Sequence, residues 1–179
     1  MKKYTKDYSV EADVNEKGKI VEKYKYIGKF YEMSLTKGEK LAYIKKLTVS
    51  VVIFITCFLF AGLLNTNGSR NVFIVLPYAT YLLPGMYLIM GLYSFAKASG
   101  RMKHSDYDLS VCRMSKCINA IMVISAYLFF ADLVFISVKF QTIDVIKECL
   151  FVLLIGVILF TIRHMKALNK EIMDMISSK

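Results

Sequence analysis

The chain has 179 residues, of which 56% are hydrophobic, and its mean hydropathy of +0.46 is high for a soluble protein. Its formal net charge is +10, from 24 Lys and Arg residues against 14 Asp and Glu residues. The apolar residues are gathered into four blocks with most charges between them. This pattern excludes an ordinary soluble domain and is typical of an integral membrane protein. The apolar blocks favour anionic lipid headgroups over nucleic acid as the partner of the basic residues, so we expect no nucleic-acid partner.

Residues 1–36 are predicted to form a basic cytoplasmic segment. The runs 8–14 (YSVEADV) and 19–33 (KIVEKYKYIGKFYEM) are separated by NEKG, which favours a turn. In the second run aromatic residues and lysines alternate, which predicts a β-hairpin with an aromatic face and a lysine face. The aromatic face holds Tyr24, Tyr26 and Phe30. A flexible charged tail is the alternative interpretation.

Five lysines are predicted to contact the membrane surface or a partner protein. They are Lys23, Lys25, Lys29, Lys45 and Lys46. The first three fall on the lysine face of the predicted hairpin, and the other two precede the first apolar block. A two-stranded hairpin is only marginally stable alone. We therefore expect it to rest on the bilayer, on other cytoplasmic helices or on a partner.

The remaining residues, 37–179, are predicted to form a four-helix transmembrane domain. A helix needs about 20 apolar residues to cross a bilayer, and four blocks fit that length or come close to it. The predicted spans are about 47–65, 72–96, 118–138 and 145–162. The connections between spans one and two and between spans three and four are short, so consecutive helices should be antiparallel. The predicted fold class is therefore an all-α integral membrane protein with four antiparallel transmembrane helices, cytoplasmic helical extensions and a short N-terminal cytoplasmic β-hairpin.

The cytoplasmic loop 97–117 and the cytoplasmic tail 163–179 carry helix signals of their own. Thr36 with Glu39, and Ser105 with Asp108, have the spacing of a capping box and predict where helices one and three begin. The tail has an apolar stripe at helical spacing. The stripe consists of Met165, Leu168, Ile172 and Met175. We expect these extensions to pack into a cytoplasmic collar; a frayed C-terminus on the membrane surface is the alternative.

The distribution of basic residues predicts the orientation. All but three of the 24 Lys and Arg residues lie on the side that holds both termini and the loop 97–117. The positive-inside rule therefore places both termini in the cytoplasm. The lysine bias fits an AT-rich genome, so we expect a multi-pass protein of a bacterial plasma (inner) membrane.

Asp132 lies within the third block, in the run FFADLVF. A charged residue inside a span costs about 2.5–3.5 kcal/mol. The sequence predicts Asp132 as the one charge deep in a span, so that cost must be offset by hydrogen bonds, by water or by protonation. The expected partners are hydroxyl groups at similar depth in the second span, with Lys139 and Lys147 able to reach down from the outer interface. Those hydroxyl groups belong to Tyr78, Thr80 and Tyr81.

Two interpretations of Asp132 stay open. It could be an ion- or proton-coupled site or pair with a cation of another subunit, or it could fix helix packing through hydrogen bonds. The second span adds Pro77 and Pro84, each of which removes a backbone hydrogen bond and favours a kink. Paired kinks beside an acid suit a binding cavity or a gate, although prolines are also common in ordinary spans.

Nothing else in the sequence indicates chemistry. The two histidines and four cysteines lack the spacing of a metal site or a thiol redox pair, and no nucleophile or phosphate-binding motif is present. We therefore expect no catalysis, cofactor or metal. The predicted function is that of a subunit or regulator of a membrane assembly, as a homo-oligomer or with a membrane protein partner. One alternative is a homo-oligomeric transporter or channel that uses Asp132 and the kinked second span, and another is a membrane enzyme.

Overall fold

The computed structural model describes residues 4, 7–14 and 20–178. Within them, four helices are long and apolar enough to cross a membrane. They comprise residues Lys37–Leu63, Val72–Lys97, His104–Lys139 and Val145–Asp174. The chain is thus mostly helical. The prediction of four helices that could span a membrane is confirmed by their length and apolar composition.

The second and third of the four candidate spans are interrupted, whereas the first and fourth are continuous. The first span is the single helix α1 (Lys37–Leu63), and the fourth is the single helix α6 (Val145–Asp174). The second divides into α2 (Val72–Thr80) and α3 (Leu82–Lys97). The third starts as α4 (His104–Tyr107), passes through a π-helical turn at Asp108–Cys112 and continues as α5 (Arg113–Lys139).

The predicted hairpin is present. Strands β1 (Tyr8–Val14) and β2 (Ile20–Tyr26) pair antiparallel, with Tyr8 opposite Tyr26. The predicted second run is nevertheless wrong as one strand, because β2 ends at Tyr26 and β3 (Phe30–Met33) belongs to another sheet. The chain bends between them at Gly28, where a Cβ would lie 2.7 Å from the Tyr26 hydroxyl oxygen.

A three-stranded sheet closes one end of the bundle. Its central strand β3 pairs antiparallel with β4 (Arg101–Lys103) and with β5 (Ile176–Ser178). The sheet therefore joins the N-terminal segment, the connection between the second and third spans, and the C-terminus. We call this the sheet end. The opposite end, where residues 64–71 and 140–144 connect the helices, is the loop end.

The two predicted helix starts have different outcomes. Thr36 and Glu39 form a capping box: the Glu39 N–H donates to Thr36 Oγ1 (3.3 Å), and the Thr36 N–H donates to Glu39 Oε2 (2.9 Å). The predicted cap at Ser105 is wrong, since the helix begins at His104 directly after β4. The His104 N–H instead donates to the Tyr26 hydroxyl (2.9 Å), so the hairpin supplies that helix start with its acceptor.

The core lies between helices that contact along much of their length. α6 packs against α1 and α5, and α3 packs against α5. Of the predicted stripe in the tail, Met165, Leu168 and Ile172 are buried, whereas Met175 follows the end of α6 and is half-buried. The Tyr43 hydroxyl of α1 donates to Glu171 Oε2 of α6 (3.0 Å), which ties these helices together at the sheet end.

Candidate functional site: a buried carboxyl pair

Asp132 lies on the buried face of α5. That face follows helical spacing and consists of Ile118, Ile121, Ser125, Leu128 and Asp132. The buried face of α6 begins with an acid in the same way, as Glu148, Phe151, Ile155, Ile158 and Ile162. Because α5 runs toward the loop end and α6 runs away from it, Asp132 near the end of one helix meets Glu148 near the start of the other.

Gly68 covers this pair of carboxyl groups. Its backbone N–H donates to Glu148 Oε1 (2.9 Å). A Cβ on Gly68 would lie 2.9 Å from Asp132 Oδ1 and 3.1 Å from Glu148 Oε2. Both oxygens are therefore close to one point, and they are at most 6.0 Å apart. A residue without a side chain is needed here to let the backbone approach the two acids.

Both acids are fully enclosed. The exposed fraction of Asp132 and of Glu148 is 0%. Three of their four carboxyl oxygens, both of Asp132 and Oε2 of Glu148, have no hydrogen-bond partner among the residues that the structure describes. The expectation that Asp132 is the one charge deep in a span is thus wrong, because Glu148 points into the bundle beside it.

The expected partners of Asp132 bond elsewhere. Tyr81 is buried, and its hydroxyl donates to Ser125 Oγ (2.9 Å), which in turn donates to the Ile121 carbonyl (2.7 Å). The phenol ring of Tyr81 packs edge-to-face on Phe54, with ring centroids 5.8 Å apart. Tyr81 therefore bridges the second and third spans one turn or more away from Asp132.

Tyr78 and Thr80 also have other acceptors. The Tyr78 hydroxyl donates to the Phe58 carbonyl, and its ring stacks on that of Phe58 at 4.9 Å. The Thr80 hydroxyl donates to the Pro77 carbonyl (2.6 Å) within its own helix. None of the three hydroxyl groups predicted for Asp132 reaches it, so that set of contacts is wrong.

The second span is interrupted between its prolines. α2 contains Pro77 and ends at Thr80; α3 begins at Leu82 and has Pro84 as its third residue. The side chain of Tyr81, which lies at the break, is buried. A groove of about 630 Å³ lies between α2 and α5, lined by apolar residues such as Phe130 and Val134, and Asp132 does not line it.

The five predicted surface lysines lie on β2, in the connection that follows it and on α1. Lys25 is exposed on β2, Lys29 is exposed in the connection between β2 and β3, and Lys45 and Lys46 are exposed on α1. The side chain of Lys23 lies outside the described residues. Lys46 Nζ is 5.8 Å from the centre of the Tyr43 ring.

The two lysines expected above Asp132 point away from it. Lys139 is exposed, and Lys147 Nζ pairs with Asp144 Oδ2 at 2.9 Å. A hydrogen bond from Lys147 lowers the pKa of the Asp144 carboxyl, which lies in the connection before α6. The exposed acid therefore has a counterion, whereas the buried pair has none among the described residues.

Glu148 is the residue that sequence reasoning missed. It follows Lys147 directly, near the start of the fourth apolar block. Its spacing of three from Phe151 and seven from Ile155 puts it on the buried stripe, and this signal could have identified it.

Chemically, two enclosed carboxyl groups can hold a positive charge between them. No group of three or more His, Cys, Asp or Glu side chains that could hold a metal ion occurs in the described part of the chain. The chain matches no protein-family model, and it has no match among curated proteins or solved structures.

Proposed function

We propose that this protein acts without catalysis as a subunit or regulator of a membrane assembly, and that its hairpin is the part that contacts the partner protein. In this proposal the four helices cross a bacterial plasma membrane, and the sheet end with both termini lies in the cytoplasm. The observation that carries the proposal is an exposed apolar face on an otherwise anchored hairpin.

The end of the hairpin where Tyr8 pairs with Tyr26 is attached to the sheet end of the bundle. The Tyr26 ring contacts Tyr8 at 5.2 Å and Phe30 at 4.9 Å, both edge-to-face. Lys103 of β4 lies over the Tyr26 ring at 5.4 Å from its centre. Together with the hydrogen bond from the His104 N–H, these contacts hold the hairpin in one position against the sheet end.

Farther along the same face, two side chains of the hairpin are mostly exposed. Val10 pairs across the strands with Tyr24, and 58% and 64% of their surfaces are exposed. Alternate residues of a strand share a face, so this pair continues the face of Tyr8 and Tyr26. An anchored strand pair that keeps an apolar pair in solvent is suited to burying it against another protein.

The first test compares a hairpin variant with a matched control. The tagged chain is purified from its native membrane in a mild detergent, and the mass and composition of the complex are measured. We expect a second protein at fixed stoichiometry, lost in the double variant Val10→Ser with Tyr24→Ser. Leu41→Ser is the control, because Leu41 is 54% exposed on α1, outside the hairpin, and should leave the complex intact.

Two results would contradict the proposal. One is a chain that purifies alone or only with copies of itself. The other is a partner that stays bound to the hairpin variant as well as to Leu41→Ser, which would place the interface on the helices.

The orientation has its own test. A membrane-impermeant maleimide added to intact cells should label Gln141→Cys at the loop end and not Lys166→Cys at the sheet end, above the labelling of the unaltered chain. Both native residues are exposed, so accessibility within the protein is matched. The reverse pattern would invert the proposed topology.

The buried carboxyl pair favours a second candidate, a homo-oligomeric transporter or channel in which Asp132 binds the moving cation. The chain reconstituted into liposomes should then dissipate a proton gradient, and Asp132→Asn should abolish the flux. Asp144→Asn is the matched control, since Asp144 is an exposed acid at the same end. Liposomes that hold the gradient with the unaltered chain would remove this candidate.

A further inference from the structure

We infer that Asp132 and Glu148 together hold one proton, carried by Asp132 as its O–H beside the carboxylate of Glu148. The inference goes beyond the proposed function and does not depend on it. It assigns the buried pair as a proton site at the loop end of the bundle, directly under Gly68.

Burying both carboxyl groups in their ionised form would cost a large free energy. Burying an ion without a partner costs several kcal/mol even after relaxation, and two like charges at most 6.0 Å apart add repulsion. A net charge of minus two with no exposed surface would therefore oppose folding strongly. One bound proton removes one charge and the repulsion between the groups.

No side chain of the described residues supplies a positive charge instead. In the loop-end halves of the elements packed around the pair, the other charged or titratable groups are Arg70, Tyr78, Tyr81, Tyr127, Lys139, Asp144, Lys147 and Cys149. Arg70 and Lys139 are exposed, Lys147 pairs with Asp144, and Tyr78 donates to a backbone carbonyl. None of them donates a hydrogen bond to Asp132.

The hydrogen bond from Gly68 indicates which of the two acids carries the proton. The Gly68 N–H donates to Glu148 Oε1, and a hydrogen bond to a carboxylate stabilises its charged form. Asp132 has no such donor in the described structure. Asp132 is therefore the acid that gains most from being neutral.

The number of ligands at the pair favours a proton over a metal ion. A calcium ion takes about six to eight oxygen ligands. The described residues bring only two acidic side chains to this point, without a third His, Cys, Asp or Glu. A proton needs only one carboxyl oxygen to carry it, and Asp132 provides that oxygen.

The test uses infrared absorption of the full-length chain in a maltoside detergent, which has no carbonyl group of its own. At pH 7 exposed carboxyl groups are ionised, with ordinary pKa values of about 4. We expect one carbonyl band of a protonated, buried carboxylic acid. It should be absent in Asp132→Asn and present in Asp144→Asn.

A second measurement needs no substitution. Labelling the unaltered chain with ¹³C at its aspartate carboxyl groups should shift the band, and labelling its glutamate carboxyl groups should not. A band that moves with the glutamate label, or that survives Asp132→Asn, would overturn the assignment to Asp132. The absence of any such band at pH 7 would overturn the proton site itself. A band that appears only after sodium is replaced by choline would assign the positive charge to sodium.

Discussion

At the sheet end, Met102 of β4 is buried opposite Tyr31 of β3 within a sheet drawn from three distant segments. At the loop end, the buried groups are Asp132 and Glu148, beneath the backbone of Gly68. The sheet end is closed by buried apolar side chains and by hydrogen bonds between strands. The loop end is closed by two buried carboxyl groups and the backbone N–H of Gly68. The loop end thus encloses groups that are costly to bury without a partner.

This difference indicates how each end should respond to change. Apolar burial does not depend on protonation, so the packing of Met102 at the sheet end should vary little with pH. The loop end depends on a single hydrogen bond from Gly68 and on the charge state of its two acids. An end of this kind is expected to be the part of the bundle that opens first.

The largest expected effect lies at the sheet end. Met102→Ala removes a buried side chain and leaves a cavity, which should lower the free energy of unfolding by about 2–5 kcal/mol. Chemical unfolding in detergent, followed by circular dichroism, would measure it. Met86→Ala is the matched control, because Met86 is 64% exposed on α3 and should change the free energy by less than about 0.5 kcal/mol. Equal effects for the two methionines would mean that the sheet is not a folded end.

Gly68→Ala should have the next largest effect, and at the opposite end. The new Cβ would meet Asp132 Oδ1 at 2.9 Å and Glu148 Oε2 at 3.1 Å, so either the loop or the two buried carboxyl groups must shift. Overpacking of this kind costs about 1–3 kcal/mol. Gly38→Ala in the first turn of α1 is the control, since nothing lies within 4 Å of the added Cβ. A Gly68→Ala protein as stable as Gly38→Ala would show that Gly68 does not cover the acids.

The sequence predicts the helices of the bundle but not the strands β4 and β5 of the sheet end. The helices follow from long apolar blocks, and the start of α1 follows from the reciprocal bonds of Thr36 and Glu39. The strands β4 and β5 have three residues each, too few for a repeating pattern. They exist because β3 offers both of its edges to them.

The candidate site was only half predictable. Asp132 stands out as an acid among apolar residues, but its hydroxyl partners were chosen by depth alone, which ignores the direction each helix face points. Tyr81 and Tyr78 bond within their own surroundings instead. Glu148 was hidden by its neighbour Lys147, although its spacing from Phe151 and Ile155 places it on the buried face.

Thr36→Ala should have a smaller effect, confined to the sheet end. It removes the acceptor for the Glu39 N–H at the start of α1, which typically costs about 1 kcal/mol. Thr48→Ala is the control, because the Thr48 hydroxyl bonds only to the Ile44 carbonyl within the same helix. The free energies of unfolding of the two variants would be compared in the same detergent. A loss no greater than that of Thr48→Ala would show that the cap does not stabilise α1.

The smallest expected effect separates the exposed acid from the buried ones. Lys147→Gln removes the partner that lowers the pKa of Asp144, whose ordinary value is 3.8. A lowered pKa in the folded chain contributes stability above pH 3.8, and that contribution is lost as the pH falls through the folded value. Because the pair is exposed, its contribution should be barely measurable at pH 7. The unfolding midpoint of Lys147→Gln should therefore match that of the unaltered chain within error, both at pH 7 and below pH 3. A clear loss of stability at pH 7 alone would mean that Lys147 also offsets the charge of Glu148, one residue along α6, and that the buried pair is not neutralised by a proton alone.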